Sequence, residues 1–178
     1  MDSTDQQVAE KFTAFEREQD PTLVLEALNL IEAAERDVPL DDTAARNAAL
    51  AQRLRFLAAL DRNIDPTWDV NKVPVKDVTP PETHGVISPF HEVDPSTISD
   101  PVARAEYERA LAANKKYAKW YDVQDQLRRI DERSMRFVEL FLTERYTDSP
   151  ADRSELEELL ASAPLSDARK AQLRMLMP

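Results

Sequence analysis

Residues 100–146 read DPVARAEYERALAANKKYAKWYDVQDQLRRIDERSMRFVELFLTERY, with no proline after Pro101 and no glycine anywhere. Asp100 followed by Pro101 is a helix start: a carboxylate able to cap free amides, then a residue that gives up no hydrogen bond in the first turn. One unbroken helix through this stretch would measure roughly 65–70 Å at 1.5 Å per residue. Within it Trp120, Val123, Leu127, Ile130, Ser134, Phe137 and Phe141 alternate steps of three and four, a heptad seam with a polar gap at Ser134. Earlier, Tyr107, Ala110, Tyr117 and Tyr121 lie on a different stripe. That shift allows a bend near Asn114 or a break into two helices.

Working outward toward the N-terminus, the same signals recur. Asp20-Pro21 repeats the helix start, and Leu23, Val24, Leu28 and Ile31 follow at helical spacing until Val38-Pro39. Before it, Ser3 and Gln6 fit a capping box for a helix from about Thr4, with Val8, Phe12 and Phe15 on one face. After it, Asp41 or Asp42 caps a third helix carrying Leu50, Leu54, Leu57 and Leu60. Toward the C-terminus, Ser149-Pro150 and Ser166 open two short helices separated by Pro164, with Leu156, Leu159, Leu160, Leu173 and Leu176 as apolar positions. The expectation is an all-α fold: a helical bundle in 1–61, then a long helix and a C-terminal helical hairpin in 100–178, all sharing one core.

Residues 62–99 break the pattern. Prolines at 66, 74, 80, 81, 89 and 95 forbid a long helix or a central strand. Yet Trp68, Val73, Val75, Ile87 and Phe90 are interspersed, which a purely solvated spacer does not need. The segment reads as an extended strap lying against the helices, with an edge strand around Val73–Val75; its alternative is a segment that orders on a partner. Trp68 and Phe90 are the candidate partner-binding anchors.

Composition narrows the function classes. Gly85 is the single glycine, so folds that cradle phosphates with glycine-rich loops, or turn tight hairpins, are disfavoured. The absence of cysteine excludes disulfides and thiolate-ligated metals. The longest run without Asp, Glu, Lys or Arg is Thr83–His91, too short to span a bilayer. The start shows no secretion signal, so a soluble cytoplasmic chain is the default expectation, and an exported mature domain would look the same. His84 and His91 flank that glycine beside Glu82, Glu92 and Asp94 and are the candidate metal ligands for a metal-assisted hydrolase. Their spacing matches no recognised ligand pattern, and hydrogen bonding or packing is the ordinary role of such histidines. No nucleophile elbow or other catalytic motif accompanies them, and no catalytic residue or cofactor is assigned.

The formal net charge of −11 is uneven: −7 over 1–61, −4 over 62–100, +2 over 101–147 and −2 over 148–178. Such a chain is poorly suited to phosphate backbones or anionic lipid and better suited to a basic protein partner met by its first hundred residues. Lys115, Lys116 and Lys119, interleaved with Tyr117, Trp120 and Tyr121, hold the ingredients of a single-strand nucleic-acid surface. The eight acids in 101–147, and aromatics that fit the buried stripes, argue instead for a solvated helix face, so no nucleic acid is expected. The sequence thus favours a non-enzymatic interaction protein, an adaptor or an inhibitor of immunity type. A homo-oligomeric scaffold joined through the long helix is the other non-enzymatic reading.

Overall fold

The computed structural model of the protein describes residues 3–39, 41–66, 92–145 and 150–177. Among these residues the chain is all-α: α1 Ser3–Glu18, α2 Pro21–Arg36, α3 Thr43–Asp61, the long α4 Pro101–Arg145, α5 Pro150–Ser162 and α6 Asp167–Arg174, with a short 3₁₀ turn at Pro95–Thr97. The expected bundle, long helix and C-terminal helical hairpin are therefore present. No break interrupts α4 near Asn114. The greater part of the expected strap, 67–91, including the strand expected at Val73–Val75, lies outside the described residues.

Four caps are those the sequence specifies. Asp20 accepts from Thr22 N at 3.0 Å, Asp42 from Ala45 N at 2.9 Å, Asp100 from Val102 N and Ala103 N at 3.2 and 3.3 Å, and Ser166 from Arg169 N at 3.2 Å. Each satisfies amides that the first helical turn leaves without intrahelical partners. The capping box at Ser3 does not form as expected. Ser3 is already helical and Gln6 donates forward to Glu10 instead. The link between α1 and α2 needs a left-handed residue, and Gln19 supplies it with φ 55°. Its backbone amide donates to Phe15 O and its side-chain amide to Glu16 O, so the cost of a Cβ in that region is offset by satisfied helix-end carbonyls.

The chain divides into two units, Met1–Pro66 with Gln126–Pro178, and Thr67–Asp125. In the first, α1 and α2 pack side by side and α3 is the innermost helix. Between Gln52 and Leu60 only Arg55 is exposed. Phe12 meets Phe56 edge to face at 5.5 Å between centroids, a favoured aromatic geometry. On the other side Leu50, Leu54 and Leu57 join Val138, Phe141 and Leu142 of α4, Leu156 and Leu160 of α5, and Leu173 of α6. Each such side chain contributes about 1.5–3 kcal/mol on leaving water. At the rim Asp5 accepts from Gln52 at 3.0 Å and Arg55 at 2.8 Å, tying α1 to α3. Burial alone would raise the Asp5 carboxyl, but these bonds outweigh it and hold it below the usual carboxylate range.

The second unit has a smaller core of Ile98, Ala103 and Tyr107, with Ala110 and Leu111 against it. Tyr107 Oη accepts from Val93 N at 3.0 Å, and Arg104 donates to Ile98 O at 2.6 Å, which fastens residues 93–98 to the first turns of α4. Asp94 caps the 3₁₀ turn by accepting from Ser96 N at 2.9 Å, and that bond lowers its pKa.

Candidate functional site

Trp68, His84, Phe90 and His91, the candidates drawn from the sequence, lie outside the described residues. Among the described residues no cluster of three or more His, Cys, Asp or Glu side chains is placed to hold a metal ion. Among the described residues, two arginine networks and one surface groove bring polar groups together with apolar ones.

The first network is inside. Arg53, on α3, is 1% exposed, and Glu35, near the end of α2, is 3% exposed. Arg53 Nε donates to Glu35 Oε1 at 3.0 Å and Nη2 donates to Oε2, a bidentate pair. Nη1 donates to Ser134 Oγ at 3.2 Å, and the guanidinium lies 4.2 Å from the Phe137 ring centroid. The polar gap in the α4 seam is thus the place where a buried cation from α3 is received. A carboxylate so engaged is a poor general base, because its lone pairs already face N–H donors. The arrangement binds α2, α3 and α4 together.

The second network positions α6. Arg169 is 8% exposed and its guanidinium spans Asp61 of α3 and Asp131 of α4, with Nη2 donating to Asp61 Oδ1 at 2.6 Å and also to Asp131 Oδ1. Burial disfavours the cation, yet the two carboxylates outweigh it and raise its pKa above the ordinary arginine value. Nη1 also donates to Gln172 Oε1 at 3.3 Å, which orients that side chain on α6. Lys170 Nζ closes the end of α5 by donating to Ala161 O at 2.9 Å. Sequence reading missed both networks. Their only trace was a serine in the seam and charged residues inside otherwise apolar helices.

With α6 so held, an open groove runs between it and the last turns of α4. Glu132, Met135, Arg136, Glu139, Leu140 and Thr143 share one helical face and form one wall; Gln172 and Leu176 form the other. Met135 is buried at its base, Leu176 is half-buried, and Leu140 is 50% exposed. The groove offers apolar contact edged by two carboxylates and one guanidinium. Among its lining residues none is a nucleophile hydrogen-bonded to a side-chain base.

The remaining sequence candidates lie on α4. Lys115, Lys116 and Lys119 are exposed, Tyr117 is exposed as well, and Trp120 and Tyr121 are half-buried. The expectation that these aromatics fill buried stripes fails at Tyr117 and is met only in part at Trp120 and Tyr121. Of the following arginines, Arg133 pairs with Glu32 and Asn29 of α2, and Arg128 donates to Asp65 O at 3.4 Å. No described helix is long and apolar enough to cross a membrane. No protein-family model matches the chain, and neither curated proteins nor solved structures yield a match.

Proposed function

We propose that this chain is a non-enzymatic helical interaction protein, an adaptor or inhibitor, that holds a basic amphipathic segment of a protein partner in the groove between α4 and α6. The observation that carries the reading is Leu140, a large apolar side chain left half exposed beside Leu176 and Met135 and flanked by Glu132 and Glu139. An amphipathic helix laid into such a groove buries its apolar face against those residues and sets lysine or arginine against the carboxylates. The net −11 of residues 1–100 attracts a basic protein at a distance. The groove lies in 101–178, where charges balance, so local attraction there rests on Glu132 and Glu139 rather than on the acidic half to which the sequence pointed.

The test uses a synthetic leucine- and lysine-containing amphipathic helix as the probe, and then any partner captured from the source cell. Binding should be lost in Leu140→Asp, a change at a half-exposed position whose folding is checked by an unchanged melting temperature, and weakened in Glu132→Lys/Glu139→Lys. The association rate should also fall as salt rises, since the screening length is about 8 Å at physiological ionic strength. Equal binding by wild type and Leu140→Asp, or an association rate indifferent to salt, overturns the reading.

A further inference from the structure

A second surface has the opposite character. Between Tyr107 and Val123 no residue of α4 is buried, a run of about four helical turns. Ala110 and Leu111 still pack against the Tyr107 cluster, and the rest of the run is mostly charged and small residues with three aromatics, Tyr117, Trp120 and Tyr121. Its stripe at heptad spacing reads Glu108, Ala112, Lys115, Lys119, Asp122, with Lys116 and Tyr117 beside it. Lys115 and Lys119 are like charges four residues apart, an unfavourable pair in a free helix, and Lys116 adds a third cation. No ion pair among the described residues engages any of the three. Tyr117 is 38% exposed, and its ring lies 5.4 Å from that of Trp120, tilted by 38°.

We propose that this part of α4, centred on Lys115, Lys116, Tyr117 and Lys119, docks a short acidic polypeptide segment of a protein partner. The carboxylates meet the three ammonium groups, and an apolar or aromatic side chain of the partner packs on the Tyr117–Trp120 pair. The bracketing acids select this occupant. Glu108 and Asp122 each stand seven residues from Lys115 on the same stripe, about 10 Å along the axis. A single-stranded nucleic acid needs a basic track several nucleotides long, and along this stripe its phosphates would run onto both carboxylates. A segment with two or three acids fits between them. The surface uses none of the groove residues, so its success or failure is separate from that of the α4–α6 groove.

The experiment titrates the full chain with a fluorescein-labelled peptide of alternating glutamate and phenylalanine, reading anisotropy, with single-stranded oligothymidylate of equal charge in parallel. The peptide should bind, and Lys115→Ala/Lys116→Ala/Lys119→Ala should weaken it by roughly tenfold or more, as three lost exposed ion pairs imply. Tyr117→Ala should weaken it separately, whereas Arg17→Ala/Arg62→Ala, which removes two exposed cations, one on α1 and one at the C-cap of α3, should leave affinity within about twofold. All these positions are exposed. Unchanged circular dichroism and melting confirm that the variants fold. Absence of peptide binding, equal binding by the triple-lysine variant, or tighter binding of the oligonucleotide overturns the proposal.

Discussion

The two parts of α4 make the most instructive comparison in the molecule. From Pro101 to Asp122 the helix contains six alanines and buries only Ala103 and Tyr107. From Val123 to Leu142 it contains no alanine and buries nine residues, among them Leu127, Ile130, Ser134, Val138 and Phe141. The first part is helical because alanine, leucine, lysine, arginine and glutamate lose little entropy in that conformation. The second includes valine, isoleucine and phenylalanine, which are weaker helix formers, and depends on neighbouring helices to hold it. Continuous helicity in a sequence therefore says little about continuous burial. The packed part is where the buried side chains of α4 are concentrated.

The strongest way to break the packed part is to strand its buried cation. Glu35→Ala leaves Arg53 without its counter-ion and is expected to cost about 3–5 kcal/mol in urea unfolding. The double replacement Glu35→Leu/Arg53→Met should recover most or all of that loss, because two well-packed apolar residues avoid the desolvation of two charges. A single-variant cost below about 1 kcal/mol would show that water or another acceptor reaches the Arg53 guanidinium.

The comparison sharpens with one substitution in each part of α4. Leu127→Ala should cost about 2–5 kcal/mol, as a core truncation does. Ala113→Gly, in the open part, should cost at most about 1 kcal/mol, the difference in helix propensity alone. Amide hydrogen exchange under native conditions should rank the two regions in the same order. Similar protection at 108–122 and 123–142 would mean that the open turns are held by more than propensity.

At the rim, Asp131→Asn removes one of the two carboxylates on Arg169 and leaves Asp61. The expected cost is about 1.5–3 kcal/mol, the range for a hydrogen bond to a charged group, and therefore less than that of Glu35→Ala. An equal cost would place the two networks on the same footing, contrary to the difference in burial between Glu35 and Asp131.

The smallest expected effect is on pH dependence. Asp5, Asp20 and Asp94 all titrate below the usual carboxylate value, Asp20 through its hydrogen bonds from Thr22. A depressed folded pKa means that the unfolded chain binds more protons, so these groups stabilise the fold above about pH 4 and lose that contribution as pH falls through their folded values. Stability should be flat with respect to these three between pH 7 and 5 and decline below about 4. Asp20→Asn should shallow the decline, and an unchanged slope would remove Asp20 from the account.

The sequence by itself determined where helices begin, because capping is local. Asp20, Asp42, Asp100 and Ser166 reach amides two or three residues away, and nothing distant is needed. It also determined the α4 seam, since a helix repeats its face at fixed intervals whatever it packs against. Charge and apolar content could not assign a site. Leu140 lies one position from the seam residue Phe141, and only the place of α6 leaves it at the edge of a groove. Tertiary structure alone decided that Arg53 is buried on Glu35, 18 residues away, and on Ser134, 81 residues away, and that Arg169 joins Asp61 and Asp131, 108 and 38 residues away. A charged residue in a helix is ordinarily read as solvated, because leaving water costs more than any local contact returns. Only when three helices bring a carboxylate, a hydroxyl and an aromatic face to one point does an arginine become a core residue.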